Sequence, residues 1–224
     1  KDLVKLLKDN YLKYSDEIIY DNLGSIVCCK KSKKAGALKV LVLAHADEIG
    51  FMVSNIESNG IIKVNPIGGI NPNTLVADRV VLKNNDGKLF DGIISNTSSD
   101  SVSGLEFDFG FDSKEEVLNN NIGIGNSIYF VGDTVMINDK RIVSKAIDNR
   151  YGCFLGVELL EELKDSELDI DLYVGASVQE EVGLRGAKTA AFGIDPYMAT
   201  AIILHEIGCS YGCSYLVNAC NNVG

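Results

Sequence analysis

The stretch that decides the fold is Lys39-Val-Leu-Val-Leu-Ala44-His45-Ala-Asp47-Glu-Ile-Gly50. Val40 to Ala44 are apolar without a break, the pattern of a strand covered on both faces. Such a strand belongs in an α/β sheet with helices on both sides. His45 follows at once, where the chain leaves the sheet. Ligands of α/β sheets gather just outside the C-terminal ends of the strands. Upstream, Leu3, Val4, Leu6, Leu7, Tyr11 and Leu12 make a helical stripe. Next, Ile18–Tyr20 and Ser25–Lys30 flank Asn22-Leu23-Gly24, a hairpin with glycine where φ must be positive.

Downstream, from Phe51 to Ser144, the character changes. Short strand-like runs (Met52–Ile56, Ile61–Val64, Arg79–Leu82, Leu89–Ile94, Ser127–Ile137) alternate with turn clusters such as Ser58-Asn59-Gly60 and Asn85-Asp86-Gly87. That spacing predicts a small β-barrel or sandwich. One helix interrupts it, at the capping box Ser113-Lys-Glu-Glu116 ahead of Val117 and Leu118. Polar Ser95–Ser103 reads as a mobile loop. Several isoleucines (Ile61, Ile62, Ile67, Ile70) suit either a barrel core or a subunit contact.

Beyond Ser144 the α/β rhythm returns. Asn149–Lys164 carries Tyr151, Phe154, Leu155, Val157, Leu159, Leu160 and Leu163 as one broad buried helix face. Ile170–Ser177 reads as a buried strand, Arg185–Phe192 as a helix and Ala199–Leu204 as another strand. The expected architecture is therefore a discontinuous α/β domain, residues 1–51 and 143–224, interrupted by a β-barrel insert over 52–142.

Composition narrows the function classes. The 224 residues are 46% apolar, and 21 Lys and Arg against 31 Asp and Glu give a net charge of −10. That is a globular balance with enough apolar content for a core, and an acidic one, which argues against a nucleic-acid binder. The basic cluster Lys30–Lys34 reads as a solvated loop. The longest apolar runs, Val40–Ala44 and Ala199–Leu204, fall far short of the roughly 20 residues that cross a bilayer. Lys1–Lys13 reads as a charged amphipathic helix, not a signal peptide. The six cysteines are then expected as reduced thiols of a cytoplasmic protein.

Four places carry chemistry. His45 has Asp47 two residues on, a carboxylate placed to orient an imidazole ligand; the alternative is a polar loop pair. Glu180 and Glu181 follow the strand ending at Ser177, and adjacent carboxylates point apart, so one can hold a cation while the other handles a proton; the alternative is a pair of exposed charges. Asp148 stands where a helix begins, as a ligand or as an ordinary first-turn aspartate. His205-Glu206 follows the strand ending at Leu204. Imidazole and carboxylates at strand termini match the donors of a divalent ion such as Zn, Mn or Co.

HADEIGFMV (45–53), NPIGG (65–69), KAIDNRYG (145–152) and VQEEVGLRGA (178–187) together resemble the di-metal aminopeptidases that build tetrahedral dodecamers, a family including glutamyl aminopeptidases and members once labelled cellulases. The resemblance runs from about Tyr11 to Leu204 and implies a zinc-peptidase α/β domain, a mixed sheet with helices on both faces, interrupted by a β-barrel dimerisation domain. It further implies two divalent cations (Zn, Co or Mn), with His45 on one, Asp148 bridging both and Glu181 on the second. Glu180 would be the general base on a water shared by the cations, and Asp47 the partner orienting His45. Where the family has a carboxylate after the last strand, this chain offers Glu206 or His205, Glu206 being the closer chemical substitute. The implied substrate is a short peptide cleaved after its N-terminal residue, and the implied assembly a homo-oligomer, a dimer building to a dodecamer. The resemblance also implies a late histidine on the second cation, and none follows His205 here. The alternative reading is thus a catalytically inactive oligomeric relative without a complete second site.

Overall fold

The computed structural model describes residues 2–97, 102–204 and 214–217. In chain order the elements are α1 (Asp2–Tyr11), β1 (Glu17–Tyr20), β2 (Ile26–Lys30), β3 (Leu38–His45), β4 (Gly50–Ile56), β5 (Ile62–Ile67), β6 (Arg79–Lys83), β7 (Leu89–Thr97) and β8 (Leu105–Asp108). Then come α2 (Lys114–Asn119), β9 (Ser127–Phe130), β10 (Val135–Ile137), β11 (Arg141–Val143), α3 (Ile147–Glu162), β12 (Ile170–Ser177), α4 (Arg185–Ile194), β13 (Met198–Leu204) and β14 (Ser214–Val217). The chain divides into two compact units, Lys1–Glu48 with Ala146–Gly224, and Ile49–Lys145.

The discontinuous unit is a mixed sheet in the order β1-β2-β12-β3-β13-β14. The apolar run read first in the sequence lies inside it, with β3 parallel to both β12 and β13. The predicted hairpin forms: Tyr20 pairs with Ile26, and Gly24 takes φ +103° in the turn. Successive residues of β2 serve opposite faces. Ile26 and Cys28 pack with Leu7 and Tyr11 of α1 and Cys153 and Leu160 of α3. Val27 and Cys29 pack with Ala190 and Ile194 of α4. Helices therefore cover both faces, as an uninterrupted apolar β3 requires.

One expectation about α3 is corrected. Its buried stripe is Asn149, Gly152, Cys153, Gly156 and Leu160, while Tyr151 and Phe154 stay 45% and 53% exposed and stack on each other. The helix approaches the sheet through glycines. A Cβ at Gly156 would meet Val174 Cγ1 at 2.9 Å, so small residues, not the aromatic ones, define the inner face.

The second unit closes six strands into a barrel, β4-β5-β8-β7-β6-β9. Phe51, Val53, Ile62, Val80, Leu82, Ile94, Leu105 and Phe107 fill it, with Phe51 and Phe107 edge to face at 4.8 Å. Ile62 thus belongs to the core. α2 begins at the predicted cap, where Ser113 Oγ accepts from the Glu116 N–H at 3.2 Å. Glu116 reaches back one residue further than a regular capping box, accepting from Asp112 N at 2.9 Å. The run Ser127–Ile137 is two strands. β9 closes the barrel, and β10 leaves it to pair with β11. β8 has too short a pattern to stand out in the sequence. β7 extends through Thr97 into the stretch read as a loop, of which residues 98–101 lie outside the described ones.

Candidate metal centre

Register places the site. β12 and β3 run parallel with Ser177 opposite His45, so both strands end together. Ser177 Oγ donates to Ala44 O at 3.1 Å and Ala46 N to Ser177 O at 2.8 Å, tying the two exits. The segments leaving them, 46–48 and 178–181, consequently start side by side. α3 brings the third segment. Cys153 Sγ donates to His45 O at 3.3 Å, and a Cβ at Gly152 would meet Ala44 Cβ at 2.9 Å. Burial pushes the Cys153 thiol up to about 12, so it remains a neutral donor to the His45 carbonyl.

His45 is buried and sits between carboxylates. Its Nε2 lies 3.1 Å from Asp148 Oδ1 and 3.8 Å from Glu180 Oε2. Its Nδ1 lies 3.1 Å from the Asp47 carbonyl and 3.6 Å from Asp47 Oδ1. Candidate ligand atoms of His45, Glu180 and Glu181 all fall within 4.8 Å of one another. Side chains 45, 148, 180 and 181, up to 136 positions apart in the chain, thus converge on one place.

The electrostatics follow. Burial by itself would lower the His45 pKa, but the hydrogen bond to Asp47 and the charges of Glu180, Asp47 and Asp148 outweigh it and raise it to about 9. Burial likewise acts to raise Asp47, yet His45 and the N–H groups of Glu180 and Glu181 hold its carboxyl below the usual range. Glu181 is raised, by burial first, with His45 opposing and the charges of Glu180, Asp47 and Asp148 adding. Without a cation, His45 carries the positive charge that this acidic cluster demands.

Asp47 does more than the sequence suggests. Its Oδ1 and Oδ2 accept from Glu180 N and Glu181 N at 3.1 and 3.2 Å, so one carboxylate steers the imidazole and both glutamates. Asn149 is a second residue with no sequence signal. It donates from Nδ2 to Ile202 O at 2.5 Å and accepts from Gly152 N at 3.0 Å, fixing the chain beside Asp148. Glu48 and Arg150 are a third case, paired at 2.8 Å. His205 and Glu206 lie outside the described residues, as do Cys209, Cys213 and Cys220. Cys28, Cys29 and Cys153 are buried free thiols. Among the described residues no helix is long and apolar enough to cross a membrane.

The sequence pattern of the M42 glutamyl aminopeptidase family matches residues 24–215. The glutamyl aminopeptidase of Lactococcus lactis subsp. cremoris (strain MG1363) is 39% identical over 196 residues, 82% of this chain and 55% of that protein. An aminopeptidase from the archaeon Desulfurococcus kamchatkensis superposes with a TM-score of 0.85 at 36% identity, covering 94% of this chain and 60% of its own. The Pyrococcus horikoshii TET1 peptidase, described as assembling into a tetrahedron or a large octahedral shell, gives 0.79 at 26% identity, with 92% of this chain and 66% of that one covered. The chain spans about half the length of the curated relatives it matches. On the family match and the shared fold, the chain belongs to the M42 glutamyl aminopeptidase family.

Proposed function

We propose that this chain carries the metal-dependent hydrolytic site of an aminopeptidase that removes the N-terminal residue of short peptides. The observation that carries this reading is the meeting of His45, Asp148, Glu180 and Glu181 outside the ends of β3 and β12. One imidazole and three carboxylates suit a divalent ion of the Zn, Co or Mn kind. With the Asp47 carboxylate and carbonyl at Nδ1, the neutral imidazole carries its proton there and turns the Nε2 lone pair toward Asp148 and Glu180. His45, Asp148 and Glu181 would hold cations, Asp148 bridging two of them.

Bound cations would supply Lewis-acid polarisation of the scissile carbonyl and a lowered pKa for the attacking water. Glu180 takes the proton from that water and later gives it to the leaving amine, the two halves of general acid–base catalysis. Asp47 keeps Glu180 and Glu181 in register with His45 through their N–H groups. The substrate's free α-amino group would bind the open side of the site, which confines cleavage to the N-terminal residue. Barrel-mediated dimers that build larger shells fit the assembly described for the TET1 relative. A cytoplasmic setting fits the buried free thiols.

The test is hydrolysis of aminoacyl p-nitroanilides by the full chain with added Co, Zn or Mn. Wild type is expected to turn over, and Glu180→Gln to lose about 10²–10⁴-fold in kcat, the usual worth of a positioned base. Turnover undiminished in Glu180→Gln would remove the proposed base.

A further inference from the structure

We propose that the Glu48–Arg150 ion pair is a positioning clamp for the cation site, setting the spacing of its two ligand-bearing segments without touching the cation. This rests on the metal-site reading above. Glu48 is the third residue after His45 and directly follows Asp47, while Arg150 is the second after Asp148. Their contact, Arg150 Nη2 to Glu48 Oε1 at 2.8 Å, therefore joins the segment holding one set of donors to the segment holding the bridging carboxylate.

Other contacts between these segments, among the described residues, are apolar, involve a thiol or rest on the ligands themselves. Gly152 abuts Ala44, and the Cys153 thiol donates to the His45 carbonyl at 3.3 Å. The His45–Asp148 hydrogen bond is the one a bound cation replaces. Arg150–Glu48 is a charge-assisted link that cation binding leaves in place. The pair is also constrained. The Glu48 side chain is 14% exposed. Arg150 Nε is sealed from solvent with no hydrogen-bond partner among the described residues. Burying a guanidinium nitrogen without an acceptor costs free energy, and the Arg150 side chain, 41% exposed overall, is tied to Glu48 through Nη2 alone.

Clamp and simple electrostatics predict opposite signs. As a bare positive charge near a cation site, Arg150 would repel the ion, and its removal would tighten binding. As a clamp, its removal lets Asp148 drift from His45 and weakens binding. The test is titration of the full, metal-free chain with Co²⁺, followed by calorimetry and by visible absorption. Arg150→Met keeps the aliphatic stem and is expected to weaken Co²⁺ binding about 10–100-fold, the usual range for outer partners of metal ligands. Arg150→Gln, which likewise removes the charge and the ion pair, reads the same clamp should Arg150→Met fail to fold, which far-UV circular dichroism checks, and Glu48→Gln is added to Arg150→Met as a double variant. The double variant is expected to bind within about twofold of Arg150→Met, because the two act as a unit. Arg150→Met binding Co²⁺ as tightly as wild type or more so, or a double variant showing multiplied losses, overturns the clamp while leaving the site intact. A wild type that takes up no Co²⁺ overturns the site and the clamp together.

Discussion

On the proposed reading, His45 exchanges a proton for a metal ion. Held cationic up to about pH 9 by the carboxylates around it, it must lose a proton before Nε2 can serve as a ligand. Uptake of the cation that His45 holds should therefore release about one proton at pH 7, and its apparent affinity should rise about tenfold per pH unit before flattening near pH 9. Calorimetry in buffers of different ionisation enthalpy reads the proton directly; uptake without proton release would show that His45 is not a ligand. The metal-free protein should show the converse in its stability. The folded-state pKa lies above the unfolded value of about 6.5, so the contribution of protonated His45 is complete below pH 6.5. It disappears as pH rises to about 9, and the denaturation midpoint of metal-free protein should fall across that window. Asp47 shows how far the primary structure informs at this level. Its spacing from His45 and its place after an apolar strand single it out as a candidate partner of the ring, and its carbonyl and carboxylate do lie at Nδ1. Its grip on the Glu180 and Glu181 N–H groups depends on a parallel register with a strand 133 positions away, which no local pattern encodes.

Among the elements, α3 decides how closely Asp148 approaches β3, and glycine sets that distance. An added Cβ at Gly152 would meet Asn149 Oδ1 at 2.1 Å and Ala44 Cβ at 2.9 Å. Gly152→Ala should thus destabilise the protein by about 1–3 kcal/mol from overpacking, despite the gain of up to about 1 kcal/mol that alanine brings to a helix interior. Gly193 of α4, by contrast, has nothing within 4 Å of an added Cβ. Gly193→Ala should stabilise by about 0.5–1 kcal/mol. Chemical denaturation compares the two, and similar effects at both positions would refute the close approach. The same helix shows where periodicity misleads. Tyr151 and Phe154 have the hydrophobicity of a buried face, yet before Leu160 the inner stripe is asparagine, glycine and cysteine, because near contact with a sheet selects small volume over apolar area. The other elements were plain where one physical signal dominated: the unbroken apolar β3, the Gly24 turn and the Ser113 cap. β8 and the β9–β10 break were not, since their short runs acquire identity only from their barrel or hairpin partners.

The molecule as a whole has three hydrophobic clusters, one inside the barrel and one on each face of the mixed sheet. Sheet residues Leu41, Val174 and Ala176 share no cluster with Phe51, Ile94 or Phe107. The unit Ile49–Lys145 closes its own barrel, leaving no unpaired strand edge among β4 to β9. All five proposed site residues within the described chain, His45, Asp47, Asp148, Glu180 and Glu181, belong to the other unit. A fragment of residues 49–145 should therefore fold alone, giving a β-type circular dichroism spectrum and a cooperative melt. It should also be indifferent to Co²⁺, because a ligand stabilises only what it binds. Added to the full chain, the same ion should raise the melting of the α/β unit, by roughly 2.7 kcal/mol at a hundredfold excess over Kd. A fragment that stays unfolded would show that the barrel depends on the α/β unit despite its separate core. A fragment that Co²⁺ stabilises would place a cation donor in the barrel and require the site to be redrawn with residues from both units.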